Sequence, residues 1–444
     1  MCGIALIISG IEICWSHSIQ IDASLPASRL TSPSLFSEED LKASLLRRGP
    51  DSIGTGIICL HTSVSSDERN DFVLQSRLAG EEDEAIEPER ELRGELILIG
   101  ATLQLRGLAP VAQPLTDAVQ NVLVYNGEIF GGIHVSSCRN DTEILMEALG
   151  RCCSCLSHEG NGSSCFFTTG KESVPELLSR IRGPWGLIYW QDSSKTLWFG
   201  RDAFGRRSIL VHWPTRDDPR LLLSSVSPPS SIQQDHDFSY RSGMVGVNYW
   251  EELPCGIYST SISAAKARGS LIGEVKKHEW NDGELKKLIS WERTLVEPIP
   301  GNLPFLPITK SSWSLISGVP VEASRKVLMA LEESVMRRAI FGRDEFPKIG
   351  APVGVLFSGG LDSMIIAALL HRCISSEYEI DLLNVSFDSE AAPDRISARE
   401  GLKELQKVSP SRRWNLVEID ADLQKLSSET KHVMALISPA KTYM

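Results

Sequence analysis

What the chain lacks narrows its class before any motif is read. Its 444 residues hold no uninterrupted apolar run near the roughly eighteen that a membrane-spanning helix needs, so no such helix is expected. Basic residues are not in excess. The 45 Lys and Arg stand against 57 Asp and Glu, a formal charge of −12, which argues against nucleic acid or an anionic membrane as the main partner. Any phosphate binding must then be local. Gly-x-x-x-x-Gly-Lys-Ser/Thr is missing, which excludes the lysine-bearing phosphate loop of common nucleotide hydrolases. No internal repeat is present. The apolar start, residues 4–13, has no basic leading segment and is interrupted by Glu12, so it does not read as a secretory signal. A cytoplasmic location is the expectation.

Cysteine is plentiful, with ten in the chain, yet thiols stay reduced in that compartment and disulfides are not expected. Cys152, Cys153, Cys155 and Cys165 crowd one Gly/Ser/Asn-rich segment with His158. Their spacing fits no familiar zinc pattern, and no metal centre is expected there.

The length leaves room for about two or three domains. Residues 3–9, 95–105, 121–125, 186–191, 195–199 and 220–226 are short runs of Ile, Leu, Val and aromatics, which suggests antiparallel sheets. The acidic run 81–91 reads as a solvated loop. Helices are expected over 141–149, opened by Asn140 as N-cap, and over 173–181. From 249 to 320 the pattern weakens, and Pro298, Pro300, Pro304, Pro307 and Pro320 punctuate its end, as in an irregular connection. An amphipathic helix then fits 321–341, with Val327, Leu331, Val335 and Ala339 on one face. Strand, helix, strand, helix and strand follow at 353–357, 362–373, 381–387, 394–408 and 414–419, the rhythm of a parallel α/β sheet. The division read from this is 2–248, a connection over 249–320, and 321–444.

Two motifs carry chemistry. The chain begins Met1-Cys2-Gly3-Ile4. Once methionine is removed, Cys2 supplies a thiol of pKa about 8.5 and an α-amine of pKa about 8 that can accept its proton. The plain alternative is a cysteine that merely precedes an apolar strand. The second motif is Ser358-Gly359-Gly360-Leu361-Asp362-Ser363, placed where an apolar strand turns into a helix. A glycine pair lets the backbone approach an anion, and the first N–H groups of the helix point at it. Ser358 and Ser363 add hydroxyls, and Asp362 can hold magnesium against phosphate oxygens. A tight turn with a capping serine is the alternative.

Together these motifs resemble the asparagine synthetase family. Met-Cys-Gly-Ile looks like a class II glutamine amidotransferase, and Ser-Gly-Gly-Leu-Asp-Ser looks like the pyrophosphate loop of ATP pyrophosphatases. The resemblance extends to Gly183-Pro184-Trp185 and to the stretch 198–208. It implies an α+β and α/β chain, an N-terminal nucleophile αββα sandwich followed by a partial doubly wound α/β ATP pyrophosphatase domain of the adenine nucleotide α hydrolase-like kind. It implies Cys2 as nucleophile, with Asn126 and Gly127 as oxyanion hole. Glu128 and Asp141 would hold the glutamine α-ammonium, and Arg48 would sit near the pocket mouth. Leu356, Ser358, Gly359, Gly360, Leu361, Asp362 and Ser363 would bind ATP or its pyrophosphate, with magnesium at Asp362. Read without the family, Asn126-Gly127 is a hairpin turn and Asp141 an acid at a helix start.

Two departures stand out. The family's arginine for the glutamine α-carboxylate falls at Thr102, and Arg106, the nearest candidate, would lie roughly 13 Å away along a regular strand. The α/β part also stops after three strands, at Met444, so a C-terminally truncated synthetase half is the expectation. The resemblance therefore implies a glutamine-hydrolysing, asparagine synthase-like ligase of asparagine biosynthesis. Its partners would be glutamine, aspartate and ATP with Mg2+, without a prosthetic group, nucleic acid or membrane, and a homodimer is compatible with it. The rival reading is a catalytically impaired or glutaminase-only paralogue with a binding or regulatory role.

Overall fold

The computed structural model describes residues 2–15, 37–64, 72–78, 93–107, 110–136, 139–153, 172–228, 249–265, 270–290, 319–339, 351–387 and 391–422, with Thr430 and Val433. The chain divides into two compact units, Met1–Trp291 with Lys431–Met444, and Glu292–Thr430.

The first unit opens with β1 (Gly3–Ser9) and β2 (Ile11–Trp15), then α1 (Glu38–Leu46), β3 (Ser52–Val64), β4 (Phe72–Leu78) and β5 (Arg93–Thr102). β6 (Leu115–Thr116) and β7 (Val122–Gly127) lead into α2 (Asp141–Gly150) and α3 (Val174–Arg180). β8 (Trp185–Gln191), β9 (Thr196–Arg201), β10 (Leu210–His212), β11 (Leu221–Ser224), β12 (Glu251–Glu252), β13 (Gly256–Ala265) and β14 (Ser270–His278) precede α4 (Gly283–Ile289). The strands form two seven-stranded sheets, ordered β12-β10-β11-β1-β5-β3-β4 and β2-β14-β13-β9-β8-β7-β6.

The alternation along β1 explains how these layers stack. Ile4, Leu6 and Ile8 join Leu96 and Leu98 of β5 in a core shared with Val122, Val124, Ile188, Trp190 and Phe199 of the other sheet. Ala5 and Ile7 face the opposite way, onto Leu41 and Leu45 of α1. On the far side of the second sheet, Leu123, Tyr125, Leu187 and Trp198 pack against Leu145 and Leu149 of α2 and Leu177 and Leu178 of α3. A strand buried on both faces cannot show polar alternation, which is why β1 and β8 read as continuous apolar runs.

The two helices on that far side are locally encoded. Asn140 caps α2 and Ser173 caps α3, each in a capping box with a glutamate three residues on. The stretch 249–320, expected to be an irregular connection, requires correction: β12, β13, β14 and α4 lie in it, and the first unit runs on to Trp291. The strand signal there is a thin period of two. Leu271 and Val275 are buried while Glu274 and Lys276 are exposed, and Ser and Gly between them dilute the pattern. The prolines from 298 to 307 and the acidic run 81–91 lie outside the described residues.

The second unit holds α5 (Val319–Ala339), β15 (Gly354–Leu356), α6 (Leu361–Cys373), β16 (Ile380–Ser386), α7 (Pro393–Val408) and β17 (Trp414–Asp420). Its three strands are parallel and lie in sequence order. α6 and α7 share one apolar cluster with Val355, Phe357, Ile380 and Leu382, whereas Leu356 and Val385 on the opposite pleat are exposed. A doubly wound sheet needs helices on both faces. Among the described residues the helices cover one face, since crossovers of one hand between strands taken in order fall on the same side. The apolar stripe expected along α5 is likewise buried only at its end: Val335 and Ala339 pack inward, and Val327 and Leu331 are exposed.

The cysteine expectation also needs correction. Cys153 is disulfide-bonded. Compartment alone informed that expectation, and contact between cysteines is set by the fold rather than by spacing. Cys155, His158 and Cys165 lie outside the described residues, and among those described no group of three His, Cys, Asp or Glu could hold a metal.

Candidate active site

One pocket in the first unit collects the residues singled out around Cys2. Cys2, at the start of β1, lines it together with Tyr125, Asn126 and Gly127 from the end of β7. Glu128, Asp141 at the start of α2, and Arg207 complete its charged wall, and the loop after β5 supplies Leu103, Leu105 and Arg106. The free room is about 30 Å³, on the scale of a few water molecules, and the exposed Leu105 stands among its lining residues.

Cys2 is half-buried. Its Sγ accepts the Leu103 N–H at 3.5 Å and lies 3.7 Å from the Leu103 carbonyl. Burial pushes the thiol pKa up, opposed by the Leu103 hydrogen bond and the positive amino terminus. A thiol held protonated needs a base, and the nearest in sequence is its own α-amine once Met1 is removed.

The oxyanion candidates are set by sheet register. Asn126 and Gly127 end β7, opposite Gly186 and Trp185 of β8. Asn126 is buried, and among the described residues its side-chain amide meets no hydrogen-bond partner, so both N–H bonds remain for a ligand. The preceding residue is clamped: the Tyr125 N–H donates to Gln113 Oε1 at 2.7 Å, and Gln113 Nε2 donates to the Tyr125 carbonyl at 3.1 Å.

Arg106 reaches the pocket because β5 ends at Thr102. The 13 Å separation assumed a continuing strand; the chain instead leaves the sheet, and its loop is tied down. Asn140 Nδ2 donates to the Arg106 carbonyl at 2.9 Å, and Thr102 Oγ1 donates to the Val111 carbonyl at 3.2 Å. The guanidinium is thereby aimed inward. Its Nη1 donates to Asp141 Oδ1 and, at 3.0 Å, to the Ile129 carbonyl. Thr102 and Arg106 therefore line the same pocket, although they sit four positions apart.

The pair is deeply buried, with side-chain exposures of 5% and 7%. Burial raises the Asp141 pKa from 3.8 to about 6, against the lowering effect of Arg106 and the Ile129 N–H. Burial also lowers the Arg106 pKa. Desolvation thus outweighs mutual attraction for both partners.

Glu128 has a guanidinium of its own. Arg207 Nη2 donates to Glu128 Oε1 at 3.0 Å. Arg207 belongs to the stretch 198–208, which carries the family resemblance, and the local fold explains its role. Buried Asp202 accepts the N–H groups of Trp185, Phe204 and Arg206 and the Arg206 Nε, which fixes the turn just before Arg207. Three arginines, Arg201, Arg206 and Arg207, beside Asp202 are the signal in the sequence. Tyr125, also missed, reads as core by its apolar neighbours. Arg48 stands beside the pocket rather than in its lining. It is half-buried on a turn whose Gly49 leaves no space for a side chain, since a Cβ there would lie 2.2 Å from the Ala101 carbonyl. Burial and the neighbouring Arg207 lower the Arg48 pKa.

The loop 358–363 of the second unit is a separate site. β15 leads through buried Phe357, whose N–H donates to the Leu383 carbonyl at 2.8 Å, into Ser358 and Gly359. Gly359 has φ of 75° and a virtual Cβ 2.2 Å from the Ser397 carbonyl of α7, so the turn and the close helix approach both demand glycine. Gly360 is the N-cap of α6 and brings no side-chain cap, which leaves the first helical N–H groups to a ligand. Ser363 Oγ donates to the Gly360 carbonyl at 3.0 Å and stands 3.4 Å from Ser358 Oγ. Leu356, Leu361 and Asp362 are exposed.

Residues 329–408 match the asparagine synthase family. A Gallus gallus protein described as asparagine synthetase domain-containing protein 1 is 31% identical over 432 residues, covering 79% of this chain and 65% of that one. The Homo sapiens protein of the same description is 28% identical over 474 residues, covering 86% and 69%. A Drosophila melanogaster asparagine synthetase domain-containing protein is 24% identical over 388 residues, covering 79% and 64%. The chain thus spans about two thirds of the length of these relatives. Among solved structures, glutamine phosphoribosylpyrophosphate amidotransferase from B. subtilis, complexed with ADP and GMP, is 13% identical and covers 63% of this chain and 49% of its own, at a TM-score of 0.28, too slight a likeness to bear on the fold.

Proposed function

We propose that this chain, an asparagine synthase domain protein similar along most of its length to asparagine synthetase domain-containing proteins, hydrolyses an ω-carboxamide of the glutamine type at Cys2. The observation that carries the reading is the convergence of Cys2, Asn126 and Gly127 on one pocket.

In this reading the chain acts after loss of Met1. The α-amine of Cys2 takes the Sγ proton, and Sγ forms a bond to the amide carbon. The side-chain amide of Asn126 and the Gly127 N–H stabilise the oxyanion. The C–N bond then breaks, the nitrogen takes up the proton and leaves as ammonia, and water cleaves the thioester to give the acid and restore the thiol. The first unit is thereby an N-terminal nucleophile αββα sandwich.

The second unit would use the ammonia. Residues 358–363 offer uncapped N–H groups and two hydroxyls to the phosphates of ATP, in the arrangement expected of an ATP pyrophosphatase loop. Asp362 offers one exposed carboxylate, and among the described residues no cluster of three ligands surrounds it. Magnesium arriving with ATP would take its other ligands from phosphate and water. Aspartate as ammonia acceptor and asparagine as product belong to this proposal.

Thr102 and the Arg106–Asp141 pair favour the rival, a protein that keeps these folds for binding or regulation. Intact-mass analysis and ammonia release from glutamine and related ω-amides, for wild type and Cys2→Ala, separate the two. A chain starting at Cys2, active only with its thiol, is expected; retained Met1 or equal release by Cys2→Ala would refute the hydrolase.

A further inference from the structure

We infer that the pocket beside Cys2 is selective for an ω-amide of a short dicarboxylic acid that carries no α-ammonium, and this rests on the amide-hydrolase reading above. An ammonium entering such a pocket needs a carboxylate and a carbonyl to replace its hydration. Here one oxygen of each carboxylate, and the nearby carbonyl, already face a guanidinium. Asp141 Oδ1 and the Ile129 carbonyl are held together by Nη1 of Arg106, and Glu128 is held by Arg207. The protein's own guanidinium therefore stands where a ligand's ammonium would be received.

What the pocket leaves unspent are donors. Tyr125 is one of its lining residues, is 1% exposed, and its hydroxyl has no hydrogen-bond partner among the described residues. It lies among the four charged groups, close enough to Asp141, Arg207, Glu128 and Arg106 to feel each of them. The buried Nε–H of Arg207 also lacks a partner among the described residues. Orphaned buried donors of this kind are costly unless something accepts from them. A ligand that presents a carboxylate and an amide oxygen satisfies them, whereas an added ammonium meets two guanidinium cations that already neutralise the two carboxylates.

The test compares glutamine with its desamino analogue glutaramate, equal in chain length, as substrates of the full-length protein with Cys2→Ala as control. Glutaramate is expected to show a kcat/KM at least about tenfold higher, the scale of leaving a charged group unpaired in a buried site. Arg106→Ala, which uncovers Asp141, is expected to move the preference toward glutamine. Tyr125→Phe is expected to lower kcat/KM for glutaramate without lowering the melting temperature, because the hydroxyl makes no bond within the fold, and it serves if Arg106→Ala does not fold. Thiol-dependent hydrolysis that favours glutamine would mean that Arg106 leaves Asp141 on binding, and would overturn the inference while sparing the hydrolase. Hydrolysis of neither compound would overturn both.

Discussion

The Arg106 guanidinium and the Asp141 carboxylate are joined inside the Cys2 pocket, buried to the point that both charged forms are disfavoured. The two residues are thirty-five positions apart, one on the loop after β5 and the other at the first turn of α2. Removing one partner of such a pair costs more than the pair contributes, because the other charge is left stranded.

Asp141 should make the protein's stability depend on pH. Its proton is held up to about pH 6 in the folded chain but only to about 3.8 in the unfolded one. The folded state thus binds more protons between those values, and its unfolding free energy falls by on the order of 3 kcal/mol as pH rises from about 4 to 6. Denaturant unfolding of wild type and Asp141→Asn across this range reads the effect. The variant should lack that fall; parallel curves would place the Asp141 midpoint near its ordinary value.

Asn126→Ala should lower kcat far more than it raises KM, by about 10²–10³ if the side-chain amide meets the oxyanion. Steady-state kinetics on an ω-amide substrate decides this. A change confined to KM would assign Asn126 to ground-state binding.

Gly359→Ala should destabilise the second unit, since alanine is strained at φ of 75° and its Cβ would meet the Ser397 carbonyl. A loss of about 1–3 kcal/mol is expected, with weakened nucleotide binding at residues 358–363. Unfolding curves and fluorescent-ATP titration measure both. An unchanged melting temperature would mean that α7 moves aside.

Asp218 predicts an acid-side loss. Burial alone would raise its pKa, but hydrogen bonds from Arg220 Nε and Nη2 and from the Tyr249 hydroxyl bring it down to about 2. The depressed value contributes stability that is fully present above about pH 4 and is lost as pH falls through 2, on the order of 2 kcal/mol for this largely buried group. Asp218→Asn should lower stability at pH 7 and show a shallower acid decline; an acid decline as steep as wild type's would assign it to other carboxylates.

Much of the architecture is legible where local rules and burial agree. The apolar runs that became β1, β7, β8 and β9, and the caps Asn140 and Ser173, announce themselves because each element is buried or capped through its own residues. β13 and β14 do not, because their pairing with β9 and β2 compensates for small residues that no window along the chain can credit.

The chemical inventory is written in the order of residues: Cys2 next to the initiating methionine, the Asn126-Gly127 pair, and the glycine-rich turn at 358–363, each a property of adjacent residues. Outside 249–320, the order of strands and helices is also legible there. Tertiary structure alone decided which charges meet. Arg106 looked four residues out of place because strand geometry was assumed to continue; the end of β5 at Thr102 and the tie from Asn140 swing it onto Asp141, while the Asp202 turn delivers Arg207 to Glu128. Ion pairing depends on distance through space, and for residues this far apart in the chain that distance is fixed by how the two sheets and α2 close on one another.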